Sequence, residues 1–134
     1  MSQQSVGPFE VKLTPQTPDN AAAEGSKLGR MSIEKQFHGD LGATSQGEML
    51  MAQGSLKGSA GYVALERVSG KLPGRSGTFV LQHSGTMNRG VPGLSVTVVP
   101  DSGTEELVGL AGTMTINIDA GKHCYEFTYT LDSL

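Results

Sequence analysis

The sequence predicts an all-β domain folded as a closed, eight-stranded antiparallel barrel, and three observations carry that prediction. Runs of alternating apolar and polar residues recur along the chain with the two-residue period of half-buried strands. Short stretches rich in Gly, Pro, Asn and Asp separate them, and these residues turn a chain sharply. No segment longer than about three turns carries helical periodicity. About eight such strands with short connections can close on themselves, which removes exposed edges and leaves an interior for packed side chains or one small ligand.

The first strand runs from Ser5 to Thr14, where Phe9, Val11 and Leu13 alternate with Glu10 and Lys12. Pro15 to Lys27 reads as a loop in which Ala21 to Ala23 offer at most one helical turn. Arg30 to His38 alternates again, with Met31, Ile33, Lys35 and Phe37 on one side, before Gly39, Asp40 and Gly42 turn the chain. Gln46 to Gln53 sets Glu48, Leu50 and Ala52 against Met49, Met51 and Gln53. Neither face is cleanly polar, so this strand is expected to be covered on both sides.

The chain is organised around Tyr62 to Gly85, two alternating runs joined by a turn rich in Gly and Pro, which reads as a β-hairpin. Its register is open, and a shift of one residue exchanges the faces. If Arg67 faces Phe79, then Val63, Leu65, Phe79 and Leu81 form an apolar wall; if Glu66 faces Phe79, Glu66 shares a side with His83. Leu94 to Val99 forms a strand ended by Pro100, and Asp101-Ser-Gly103 signals a turn. Gly112 to Asp119 and Lys122 to Leu131 form the last hairpin, with Tyr125, Phe127, Tyr129 and Leu131 on one face.

At 134 residues the chain has the length of one domain, and residues 1–134 are read as a single barrel. With 19 Gly, three Tyr, four Phe and no Trp, aromatics are scarce and the core is expected to be assembled from Val, Leu, Ile, Met and Ala. The formal charge is −3 and the bases are dispersed, so nucleic acid is not an expected partner. Cys124 alone excludes an intramolecular disulfide and fits a reducing compartment. The opening MSQQSVGPFEV lacks the features of a secretory signal, and no apolar run approaches 18 residues, so a cytoplasmic protein without membrane contact is expected.

The stretches GYVALERVSG (Gly61 to Gly70), GRSGTFVLQHSG (Gly74 to Gly85) and VVPDSGT (Val98 to Thr104), followed by Glu106-Leu107, resemble a family of small bacterial proteins known only as a domain of unknown function. The resemblance runs from about Phe9 to Leu131 and implies a barrel similar to allene oxide cyclase. It brings no established activity. Family members tend to carry Gly where this chain has Glu105, so the loop is more acidic here. Plant allene oxide cyclases steer the cyclisation of an epoxide, but fold-level likeness is a weak warrant for chemistry and none of their residues is carried over.

Candidate chemistry gathers on the central hairpin. Glu66 and His83 form the best acid-base pair, since a carboxylate and an imidazole on neighbouring strands can meet in a barrel wall; the plainer alternative is a solvated network with Arg67 and Arg75. Candidate ligand-binding residues are Glu48, Tyr62, Gln82 and Tyr125, beside the adaptable Met49 and Met51. No metal site or cofactor is expected, because His38, His83, His123 and Cys124 are scattered, and adjacent strand residues point to opposite faces. Neither a nucleophile elbow nor a phosphate loop is present. Three readings follow: a barrel holding a small apolar or mixed-polarity molecule; a cofactor-free isomerase or cyclase using a carboxylate as acid or base; and a filled barrel forming a homodimer through an outward apolar stripe.

Overall fold

The computed structural model describes residues 2–17 and 28–131. The possible helical turn at Ala21 to Ala23 lies outside them. Eight strands follow in chain order: β1 (Ser2–Gln16), β2 (Leu28–Phe37), β3 (Gly42–Gln53), β4 (Ala60–Leu72), β5 (Arg75–Asn88), β6 (Val91–Val98), β7 (Ala111–Asp119) and β8 (Lys122–Thr130). Each pairs antiparallel with the next, and β8 returns to β1 to close the barrel. The up-and-down order follows from the tight turns between strands. In the β4–β5 turn Pro73 is followed by Gly74 at a φ of 79°, a conformation open to glycine and strained for most other residues.

Alternation along each strand sends one set of side chains into the lumen. Two groups fill it. The larger one joins Phe9, Phe37, Phe79, Phe127, Tyr125 and Tyr129 to aliphatic residues such as Leu41, Val68, Leu81 and Val96, with the Phe79 and Phe127 rings stacked at 5.7 Å. The smaller one consists of Ile33, Met49 and Ala64, with Met31, Met51 and Tyr62 packed against it.

The two ends of the barrel differ. At the end holding the β4–β5 turn, the β6–β7 connection crosses over β5, where Thr104 N–H donates to the Thr78 carbonyl at 2.8 Å. A single 3-10 turn, Glu105–Leu107, then drives Leu107 and Leu110 into the core, both nearly inaccessible. This connection seals that end. Glu105 has a φ of 55°, the left-handed region where its side chain is disfavoured and Gly fits without strain. At the opposite end β3 leaves, β4 enters, and no comparable plug covers the opening among the described residues.

One open register is resolved and one sequence expectation changes. In the central hairpin Val68 pairs with Phe79 and Glu66 with Leu81, so Glu66 and His83 share the inner face. Phe79 and Leu81 are buried inside while Val63 and Leu65 stand outside, and the four-residue apolar wall does not exist. β3 is not covered on both sides either, since Leu50 on its outer face is 58% exposed. Among the described residues no helix is long and apolar enough to cross a membrane.

Candidate functional site

Across the middle of the lumen, where an apolar layer would complete the core, the chain places three ionisable side chains. Lys35 from β2, Glu66 from β4 and His83 from β5 are all buried. Lys35 and Glu66 reach each other across β3 because β3 presents only small residues there. Ser45 pairs with Lys35, and Gly47 pairs with both Ile33 and Glu66. A Cβ on Gly47 would lie 2.6 Å from the Glu66 Cα and 2.1 Å from the Leu65 carbonyl oxygen, so the close approach requires glycine.

Lys35 Nζ lies 3.0 Å from Glu66 Oε2 and donates a hydrogen bond to Oε1 at 3.3 Å. The ammonium also faces the Phe9 and Phe37 rings, at 5.1 and 5.8 Å from their centroids. Those π faces replace part of its lost hydration. His83 Nε2 lies 3.5 Å from Glu66 Oε1, at the outer edge of hydrogen-bonding range. Its geometry leaves Nε2 without a directed bond, and the Ser45 hydroxyl is likewise buried and unbonded. Burial pushes the Glu66 carboxyl up, but the polar contact with His83 and the Lys35 charge outweigh it and hold the group below its ordinary value of 4.5.

Tyr62 lies on the same inner face of β4, two layers nearer the open end than Glu66. Its ring rests on Gly85, the residue directly opposite, where a Cβ would come within 2.3 Å of Cε1. It also stands 6.4 Å, centroid to centroid, from the His83 ring. The phenol is held above its ordinary value of 10.0, first by burial and then by the negative charge of Glu66. Beyond Tyr62 the lumen opens into a cavity of about 590 Å³. Leu28, Met51, Met87, Pro92 and Leu94 line it together with Tyr62, so its walls are mainly apolar. That volume lies within the ~300–1,000 Å³ usual for small-molecule sites.

Of the residues singled out in the sequence, Tyr62, Glu66 and His83 come together. Glu48 lies on the outer face of β3, 2.6 Å from the Arg30 guanidinium, and Gln82 is exposed on the outer face of β5. Tyr125 is buried toward the sealed end; its hydroxyl accepts from Leu41 N–H at 2.8 Å and donates to the His38 carbonyl at 2.6 Å, holding the β2–β3 turn. Lys35 was not singled out. The signal was its place in the apolar alternation Met31, Ile33, Lys35, Phe37, since a lysine on a buried face demands a carboxylate partner.

The chemistry open to the cluster is limited by these positions. A carboxylate below its ordinary pKa is ionised at neutral pH and is a weak base, so Glu66 is suited to orienting the His83 imidazole rather than to exchanging protons itself. Among the described residues no group of three His, Cys, Asp or Glu side chains could hold a metal ion.

Among the described residues these features define a class: a small closed β-barrel, packed and sealed at one end, with an ion cluster beneath an apolar opening at the other. The chain belongs to the DUF3224 family, described as proteins of unknown function, whose family model matches residues 5–129. A solved crystal structure of a DUF3224 protein of unknown function from Shewanella oneidensis MR-1 is similar over 100% of both chains, with 51% identity and a TM-score of 0.93. No curated protein matches the chain.

Proposed function

We propose that this barrel binds a small, mainly apolar molecule at its open end, with the molecule's polar group turned toward Tyr62 and the cluster below it. The observation that carries this reading is the cavity of about 590 Å³, walled by apolar side chains and floored by a tyrosine over buried charges. Apolar walls supply affinity and a few polar groups supply orientation. Tyr62 acts here as the polar anchor, with Glu66 and His83 as the buried charges beneath it. The unpaired Cys124 favours a reducing compartment such as the cytoplasm.

Titration with Nile red, an uncharged apolar fluorophore, tests the reading. Wild-type protein should bind it saturably with a stoichiometry near one. Met51→Trp, which adds bulk inside the opening, should weaken binding at least ~10-fold while the thermal unfolding midpoint stays within a few degrees. Equal binding by the variant would place the fluorophore elsewhere and overturn the reading.

A further inference from the structure

Resting on that reading, we infer the class of ligand head group: the site selects a neutral oxygen function, an alcohol, ketone or ester on an apolar body, and rejects the matching carboxylate. The geometry carries the inference. Along the inner face of β4 a ligand entering from the open end meets Tyr62 before Ala64 and Glu66. Among the described residues no hydrogen bond holds the Tyr62 hydroxyl, so it is available as a donor at the floor of the cavity. A neutral oxygen accepts that bond.

The charge arrangement below sets the discrimination. Lys35 springs from the layer of Ser45 and Val68, one layer deeper than Glu66, and its ammonium is drawn toward the Phe9 and Phe37 rings. Glu66 is therefore rooted one layer nearer the cavity than Lys35. Its side chain is fully buried, so water screens it poorly. Burial, and after it the Glu66 charge, holds the Tyr62 phenol above its ordinary value. His83 sits at the level of Ala64 beside the tyrosine ring and completes the groups around this floor. A second carboxylate brought here would lose its hydration and face a like charge. An uncharged head gives up far less hydration, regains a hydrogen bond from Tyr62 and meets no like charge.

The test displaces Nile red from wild-type protein at pH 8 with 1-decanol and with decanoate, which share a chain length and differ in head charge. Decanol should displace the fluorophore at a concentration at least ~10-fold lower than decanoate. Tyr62→Phe should narrow that gap by weakening decanol alone, and Glu66→Gln should narrow it by strengthening decanoate. Equal displacement by the two compounds, or tighter decanoate, would overturn the head-group inference and leave the binding reading standing. Failure of both compounds to displace bound Nile red would overturn both. Should Glu66→Gln fold poorly, Tyr62→Phe decides the matter, because it removes one hydroxyl and no charge.

Discussion

Tyr62 and Tyr125 are inward-facing tyrosines of one barrel, both held above the ordinary phenol range with burial as the first cause, yet their hydroxyls have opposite fates. Tyr125 accepts one backbone hydrogen bond and donates another, closing a turn at the sealed end. Tyr62 lines an open cavity, and no hydrogen bond among the described residues engages its hydroxyl. The same contrast runs through the whole lumen. One end is an aromatic core plugged by Leu107 and Leu110, whereas the other holds buried charges under an apolar opening. At the sealed end Tyr125 satisfies its hydroxyl from within. At the open end the Tyr62 hydroxyl has no hydrogen-bond partner among the described residues.

The largest effect should come from the layer between the two ends. Glu66→Leu strands Lys35 as an unpaired buried cation and should cost about 3 to 5 kcal/mol in urea denaturation. The double variant Lys35→Met/Glu66→Leu should recover most of that loss. A double variant no more stable than the single one would show that the ion pair is not what makes Glu66 necessary. The tyrosines should separate next. Tyr125→Phe leaves Leu41 N–H without its partner and should cost about 1 to 3 kcal/mol, whereas Tyr62→Phe should stay within about 0.5 kcal/mol of wild type. Equal losses at the two positions would erase the contrast.

The smallest effects follow from pH. Glu66 has a native pKa below 4.5, so the native state takes up its proton less readily than the unfolded chain does. Its contribution is therefore complete above pH 4.5 and is lost as pH falls through the native value. The tyrosines behave oppositely: once pH passes 10.0 the unfolded chain releases phenolic protons that the native state keeps, and stability falls. Urea midpoints followed across pH should show a steeper acid limb for wild type than for the double variant. On the alkaline side, Tyr62→Phe and Tyr125→Phe should each soften the decline.

Much of the fold was legible because the outer strands alternate without ambiguity. In β2 and β8 the inward set of the alternation is the buried one, so register and burial agree. The β4–β5 hairpin was not decidable, because both of its faces mix charge with aliphatic residues: Glu66 sits among Ala64 and Val68, and Arg67 among Val63 and Leu65. The solution is the face that buries the carboxylate, and it works only because Lys35 arrives from two strands away over Ser45 and Gly47. No reading of one hairpin contains that information. Leu50, Val63 and Leu65 misled for the converse reason, since they are aliphatic residues that the closed barrel leaves on its outer surface.

Methionines mark both ends of the lumen, which makes the central claim directly measurable. Met51 and Met87 line the opening, and Met114 is buried in the sealed core. Titrating 1-decanol into protein labelled at the methionine methyl carbons and recording two-dimensional NMR spectra should shift the Met51 and Met87 signals saturably while Met114 stays fixed. Movement of Met114 to the same extent, or no saturable movement at Met51 and Met87, would contradict the division of this barrel into a packed end and a binding end.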